Sequence, residues 1–191
     1  MPRVRPLLLA ILAAAAALAV FALVYVMERG PVHAPAKPDA LARFALSAGP
    51  QALPPVAFSD AAGKRHTLAE FRGHYVLVNL WATWCAPCVQ ELPSLLKLKE
   101  AMGDTLVVMP VDVERGEAAD AAAFLKEHGV GGLPVYRDAG ITLVRSLKAY
   151  GLPLTILVDP QGREIGRAAG PADWGAPESV AYLRSVVSGK P

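Results

Sequence analysis

Two cysteines stand three positions apart in the segment Trp84-Cys85-Ala86-Pro87-Cys88, and the chain has no others. A strand pattern precedes this segment and a helix pattern follows it, so the pair is predicted to lie at a helix N-terminus. The free N–H groups and the dipole at that position stabilise a thiolate. Pro87 lacks the N–H that a first helical turn leaves unpaired. The arrangement predicts thiol–disulfide exchange, with Cys85 as the exposed nucleophile and Cys88 as the shielded resolving thiol.

Two other uses of a cysteine pair fit the sequence less well. A structural disulfide across two intervening residues closes almost no loop and therefore stabilises little. A zinc site needs about four ligands, and the chain has no second cysteine pair. Its four histidines, at positions 33, 66, 74 and 128, have no helpful spacing. We therefore expect a redox-active pair with no metal and no cofactor.

Strands that alternate with helices are predicted to position the pair. Residues 75–82 form a near-continuous apolar run, which is typical of a central strand covered on both faces. The helix after the cysteines is predicted over residues 86–102, and it ends at Gly103. Further strands are predicted at 56–59, 64–67, 106–113, 135–137, 154–158 and 164–169, and further helices at 118–128, 142–149 and 178–187. The pattern predicts an α/β fold with a mixed central sheet flanked by helices.

The N-terminal residues have the composition of a membrane anchor. The 22 residues 6–27 carry no charge and would reach about 33 Å as a helix, enough for a bilayer core of about 30 Å. Arg3 and Arg5 precede this run and favour a cytoplasmic N-terminus. A cleaved signal peptide usually has a shorter apolar region. We predict an uncleaved single-pass anchor over residues 1–29, with a cytoplasmic tip at 1–5.

The remainder of the chain is predicted to lie outside the cytoplasm. Residues 30–55 are rich in proline and alanine, a composition typical of a spacer, although 41–46 could form a short helix. Residues 56–191 are predicted to form the folded domain. The chain beyond residue 30 has equal numbers of acidic and basic residues, so it lacks the positive footprint of a nucleic-acid-binding protein.

Further motifs around the cysteines identify a family resemblance. Residues 56–187 resemble the TlpA/ResA/CcmG group of membrane-anchored, thioredoxin-like thiol:disulfide interchange proteins, and most of all its TlpA-like members. The matching motifs are Trp84 to Cys88 with Glu91 and Pro93, Gly151 to Thr155, Val158 to Gly162, Gly170 to Trp174, and Pro177-Glu178.

The turn sequence Asp60-Ala61-Ala62-Gly63, between the strands predicted at 56–59 and 64–67, predicts an N-terminal β-hairpin. The resemblance implies a thioredoxin-like fold and roles for residues around the cysteines. Pro153 alone indicates an ordinary loop proline, whereas the resemblance implies a cis Leu152–Pro153 peptide bond against the cysteine turn. The backbone of Leu152 would then pair with an extended substrate. Trp84, Ala86 and Pro87 would complete the substrate-binding surface.

Two polar positions near the cysteines bear on proton transfer. Glu91 lies one turn after Cys88, where a carboxylate can accept the proton of the resolving thiol, as its match in the ResA-like proteins implies. An acidic residue favoured by the helix dipole explains it equally well. Asn79 stands where thioredoxins have a buried aspartate. An amide cannot shuttle a proton, so we expect Asn79 to be a hydrogen-bonded buried group.

The resemblance also implies an activity, a location and partners. The expected function is reduction of disulfides in exported metalloproteins at the periplasmic face of a bacterial inner membrane. The clients would be apocytochromes c or, as the TlpA likeness favours, copper-site proteins of a respiratory oxidase. Electrons would come from a membrane carrier of the DsbD/CcdA type. A general periplasmic disulfide oxidase and a copper-binding module of the same fold are the alternatives.

The predicted topology can be tested with a reporter fused at Pro191. A reporter that is active only after export should be active there, because Arg3 and Arg5 are expected to keep the N-terminus in the cytoplasm. A reporter that requires the cytoplasm, fused at the same position, is the matched control and should be silent. Signal from the second reporter alone contradicts the topology.

Overall fold

The computed structural model describes residues 12, 14–21, 36–115 and 118–189. The chain divides into two units, residues 1–34 and 35–191. Leu12 and residues 14–21 are helical and exposed, while the rest of the predicted anchor lies outside the described residues. None of the described helices is long and apolar enough to cross a membrane. The anchor therefore stays a prediction.

The second unit is built on one mixed sheet. Its strands are β1 (Phe44–Ala52), β2 (Ala57–Asp60), β3 (Arg65–Thr67), β4 (Val76–Trp81), β5 (Val107–Asp112), β6 (Tyr136–Arg137), β7 (Leu154–Val158) and β8 (Arg163–Ala169). They are arranged in the order β1-β8-β7-β4-β5-β6-β2-β3. The neighbours β4, β5 and β6 are parallel, and every other pair is antiparallel. The predicted α/β fold with a mixed sheet is confirmed.

Helices cover both faces of this sheet. They are α1 (Ala86–Met102), α2 (Ala118–Glu127), α3 (Thr142–Ser146) and α4 (Pro177–Val187). Side chains from α1, α2 and α4 share one buried apolar cluster, and those of α3 belong to a second cluster. The six residues of β4 are all buried, and they alternate between the two clusters because successive strand residues point to opposite faces. Asn79 therefore faces the same side as Leu77 and Trp81, towards α1.

The structure corrects the predicted spacer at residues 30–55. Residues 44–52 form strand β1, which pairs with β8, and a short 3-10 turn precedes it at Asp39–Leu41. Leu41 and Phe44 are fully buried. The ring of Phe44 packs edge-on against Trp174, with centroids 6.0 Å apart. The proline- and alanine-rich composition hid these two core side chains, and the short helix predicted at 41–46 does not form.

The predicted hairpin is present as β2 and β3, and His66 on β3 links Asp60 of the hairpin to Glu70 of the 3-10 turn Leu68–Phe71 that follows it. The imidazole Nε2 of His66 lies 2.9 Å from Asp60 Oδ2, and its Nδ1 lies 3.0 Å from Glu70 Oε2. The hydrogen bond with Asp60, followed by that with Glu70, raises the pKa of His66. The same contacts lower the pKa of Asp60 and of Glu70. The cluster is therefore stabilised in its charged form.

The His66 cluster predicts a pH-dependent stability. A raised histidine pKa stabilises the fold below the unfolded pKa of about 6.5, and that contribution disappears as the pH rises through the higher folded value. The lowered carboxyl pKa values add stability above about pH 4, which is lost on acidification. His66→Gln should therefore reduce the free energy of unfolding more at pH 6 than at pH 8.5, as measured by urea denaturation. His128→Gln is the control, and the same pH profile for both variants contradicts the prediction.

Candidate active site

The predicted site residues gather at one end of the sheet, which we call the dithiol end. The strand register places Leu80 of β4 opposite Leu154 of β7, and Leu154 also pairs with Ala169 of β8. Trp81 pairs with Asp112 at the end of β5. The segments that leave or enter the sheet at this end are 82–85, 113–115, 150–153 and 170–174. Residues far apart in the sequence are thereby brought together around the start of α1.

The two cysteines occupy the first turn of α1. Cys85 is the N-cap residue and has an extended backbone conformation, and Pro87 stands in the first turn. Cys85 and Cys88 form a disulfide with an Sγ–Sγ distance of 2.02 Å. Cys85 is 5% exposed and Cys88 is 0% exposed, so only Cys85 presents surface to solvent. Its accessible area is smaller than the sequence suggested, because the residue joins the apolar cluster beneath α1.

The residues predicted to bind substrate lie at the dithiol end, Trp84 and Leu152 in loops and Ala86 and Pro87 in the first turn of α1. Trp84 is 68% exposed although it is a large aromatic residue, while Ala86 is exposed and Pro87 is partly buried. Leu152 packs against the cluster that contains both cysteines. The Leu152–Pro153 peptide bond is cis, as the resemblance implied, and the carbonyl oxygen of Pro153 accepts a hydrogen bond from Gly170 N–H at 2.9 Å.

Glu91 is a buried carboxyl group held by three donors, one from β4 and two from the segment 170–174. It is 4% exposed. Its Oε1 accepts from Asn79 Nδ2 at 2.6 Å, and its Oε2 accepts from the backbone N–H of Ala172 at 3.1 Å and from Trp174 Nε1 at 3.4 Å. Burial raises the pKa of Glu91 to about 7, against the opposing effect of these hydrogen bonds. Glu91 can therefore change protonation state near neutral pH, which an exposed acid at a helix start cannot do.

Asn79 is a fully buried amide with one unused oxygen. Its Nδ2 donates to Glu91 and, at 2.9 Å, to Thr155 Oγ1. Its Oδ1 has no hydrogen-bond partner within the described part of the chain. The sequence indicated a hydrogen-bonded buried group, and the structure agrees for the amide nitrogen.

The sequence did not identify every residue of this network. Trp174 entered the sequence analysis only as the last residue of a family motif, yet it is fully buried and donates to Glu91. Thr155 was predicted only as a strand residue, yet its hydroxyl contacts Asn79. Both belong to motifs that carried the family resemblance, which was the one available signal. Their partners lie 76 and 83 positions away, so no local spacing could have shown the contacts.

The surroundings of the site also include a groove. An open groove of about 320 Å³ follows α1, and Pro87, Glu91 and Ala172 are among its lining residues. Water can thus approach the carboxyl group from the side of the helix.

Across residues 36–115 and 118–189 and the described N-terminal residues, no group of three or more His, Cys, Asp or Glu side chains is placed to hold a metal ion.

Sequence comparisons match most of this unit to known proteins. The model of the AhpC/TSA family matches residues 50–164. Over 115 residues, the chain is 32% identical to the thioredoxin-like protein YneN of Bacillus subtilis, and the aligned segment covers 59% of this chain and 66% of YneN. It is 30% identical over 113 residues to the thiol-disulfide oxidoreductase ResA of the same organism, covering 59% of this chain and 62% of ResA. The chain therefore spans less than two thirds of either relative.

A solved structure supports the fold. A thiol:disulfide interchange protein from Bacteroides sp. superposes with a TM-score of 0.62 at 26% identity, over 74% of this chain and 91% of that protein. Together, these similarities confirm the predicted thioredoxin-like fold and the resemblance to ResA-type proteins. A special closeness to TlpA stays a prediction.

The buried carboxyl group predicts coupled titration in the reduced protein. A carboxylate beneath the first turn of α1 disfavours a second negative charge nearby. Glu91→Gln should therefore lower the apparent pKa values of the Cys85–Cys88 dithiol, which belong to the coupled group rather than to single residues. The measurement is thiolate absorbance against pH, with circular dichroism as the folding control.

Glu100→Gln is the matched control for this prediction, since Glu100 is exposed on the same helix. Its thiolate titration should overlay that of the unsubstituted protein. Superimposable curves for Glu91→Gln as well would show that Glu91 has no electrostatic coupling to the dithiol.

Proposed function

Because this chain belongs to the AhpC/TSA family, we propose that it is an extracytoplasmic thiol–disulfide oxidoreductase that reduces disulfides in exported proteins through Cys85 and Cys88. The observation that carries the proposal is the position of the pair. Cys85 lies at the N-cap of a helix and keeps 5% of its surface exposed, while Cys88, one turn further on, is fully buried. This is the asymmetry that a nucleophile and a resolving thiol require.

The reaction is a two-step exchange of disulfide bonds. The Cys85 thiolate attacks one sulfur of a client disulfide, which forms a mixed disulfide and releases the other client sulfur as a thiolate. The Cys88 sulfur, after losing its proton, attacks Cys85 in the mixed disulfide. The second client sulfur leaves as a thiolate, and Cys85 and Cys88 are left as a disulfide. The client gains two electrons, and its two thiolates take up protons.

Glu91 accepts the proton of Cys88 in this proposal. Its pKa of about 7 allows it to hold or release a proton near neutral pH. Asn79 can serve both forms of Glu91. Its N–H group donates to the carboxylate, and a half-turn of the amide would present the unused Oδ1 to the protonated carboxyl group. The groove along α1 supplies a route from Glu91 to solvent.

The charge distribution favours reduction over oxidation as the direction. A strongly oxidising dithiol protein has a very stable thiolate. Here a buried carboxyl group beneath the pair opposes accumulation of negative charge, and this argues against the general oxidase. The disulfide left after each cycle then needs an external reductant, which we propose is a membrane dithiol carrier of the DsbD/CcdA type.

The proposed clients are exported proteins whose cysteines later bind metal or haem. Copper-site proteins of a respiratory oxidase and apocytochromes c both need their cysteines reduced before the metal group is attached. The exposed Trp84, with Ala86, Pro87 and Leu152, forms the proposed contact surface for an extended client segment. A likeness to TlpA favours the copper-site proteins.

Trapping of the mixed disulfide tests the proposed function. Cys88→Ser keeps the nucleophile but removes the group that resolves the intermediate, so the full chain should accumulate a covalent complex with its client in the cell envelope. Mass spectrometry after non-reducing separation would identify the client. Cys85→Ser is the matched control and should trap nothing. Complexes that form through Cys88 alone would reverse the two roles, and none with either variant would refute the function.

A further inference from the structure

The turn that carries Trp84 and Cys85 is held from the side by a carboxylate that the reaction above does not use. Thr83 donates twice to Glu114 Oε2, from its backbone N–H at 3.1 Å and from its hydroxyl at 2.5 Å. The turn is closed by Cys85 N–H, which donates to the carbonyl oxygen of Ala82 at 3.1 Å. Glu114 therefore accepts hydrogen bonds from both the backbone and the hydroxyl of Thr83, which stands two positions before Cys85.

Glu114 is itself fixed by a buried ion pair. Its backbone N–H donates to Asp112 Oδ1 at 2.9 Å, and its carbonyl oxygen accepts from Arg137 Nη2 at 2.7 Å. Arg137 Nε donates to Asp112 Oδ2 at 3.0 Å. Asp112 is 3% exposed and Arg137 is 6% exposed. A buried and fully paired ion pair holds its geometry because separation would leave uncompensated charges.

The sheet register extends this anchoring to the cysteine turn. Trp81 pairs with Asp112, and Val113 N–H donates to the carbonyl oxygen of Trp81 at 3.0 Å. Thr83 and Glu114 are each two residues beyond that strand pair. The pairing of β4 with β5 therefore fixes the relative positions of Thr83 and Glu114.

The charge of Glu114 acts on the same turn. Asp112 and Arg137 neutralise one another, and Arg115, the next residue, is exposed to solvent, where water screens its charge. The carboxylate of Glu114 thus adds negative charge beside the turn that ends at Cys85. The N-terminus of α1 favours the Cys85 thiolate, and a nearby carboxylate opposes it.

We propose that Glu114 is a positioning residue of the dithiol: it fixes the turn that presents Trp84 and Cys85, and its charge limits the stabilisation of the Cys85 thiolate. The inference rests on the proposed redox function of Cys85 and Cys88. A thiolate that is less stable makes the dithiol form less favourable relative to the disulfide. Glu114 therefore makes the pair a stronger reductant.

The test compares Glu114→Gln with the unsubstituted full chain in glutathione redox buffers. Glutamine keeps an oxygen that can accept from Thr83 but removes the charge. The dithiol–disulfide equilibrium should shift towards the dithiol by about tenfold, which is about 30 mV for a two-electron couple. The apparent pKa of Cys85, followed by thiolate absorbance, should fall. Glu127→Gln, at an exposed position of α2, is the matched control and should change neither quantity.

A second variant separates position from charge. Thr83→Val removes the hydroxyl donor and keeps the Glu114 carboxylate. It should slow the attack of Cys85 on oxidised glutathione and leave the equilibrium constant within about twofold of the unsubstituted value, since that constant follows thiolate stability. An unchanged rate would overturn the positioning role.

Salt provides a test that needs no variant, because screening weakens interactions between partly exposed charges. The equilibrium of the unsubstituted chain should move towards the dithiol as ionic strength rises, and that of Glu114→Gln should move less. If Glu114→Gln has the same equilibrium constant and the same thiol titration as the unsubstituted chain, the inference about Glu114 is overturned and the proposed function is not. Failure of the unsubstituted chain to exchange with glutathione at all overturns both the inference and the proposed function.

Discussion

The burial of the Glu91 carboxyl group is the constraint on which the arrangement of the site depends. A carboxyl group removed from water needs hydrogen-bond donors, and those of Glu91 come from Asn79 on β4 and from Ala172 and Trp174 in the segment after β8. These contacts tie α1 to the central strand β4 and to the loop that follows β8 at the dithiol end. Because α1 also carries the two cysteines, the network that satisfies Glu91 sets the position of the dithiol relative to the sheet.

The N-terminal strand supports this network from outside the cysteine region. Phe44 at the start of β1 packs edge-on against Trp174 and Tyr182, so it covers the ring that donates to Glu91. Gly166 on β8 lies so close to the Phe44 ring that a Cβ atom there would come within 2.8 Å of it. Strand β1 thus covers the ring that donates to the buried Glu91 carboxyl group, although β1 begins about forty residues before the cysteines.

Two carboxyl groups border the dithiol in the proposed mechanism, and they have different tasks. Glu91 is buried beneath α1 and handles a proton, because its pKa lies near neutrality. Glu114 is partly exposed beside the cysteine turn and accepts from Thr83. Both oppose the thiolate-stabilising effect of the helix N-terminus. In the proposed mechanism, the helix N-terminus stabilises the Cys85 thiolate and the two acids oppose it. This balance is a physical basis for a dithiol that donates electrons.

Much of this protein was determined by local sequence, and the remainder by contacts across the sheet. The apolar run at residues 75–82, the adjacent cysteine pair and the turn residues of the hairpin predicted β4, α1 and β2–β3, because each signal lies within a few neighbouring residues. The family motifs added the cis bond before Pro153. Strand β1 was missed because two buried side chains in a proline-rich segment give no periodic pattern. The contacts of Glu91 with Trp174 and of Thr83 with Glu114 join residues 83 and 31 positions apart, and only the strand register brings such residues together.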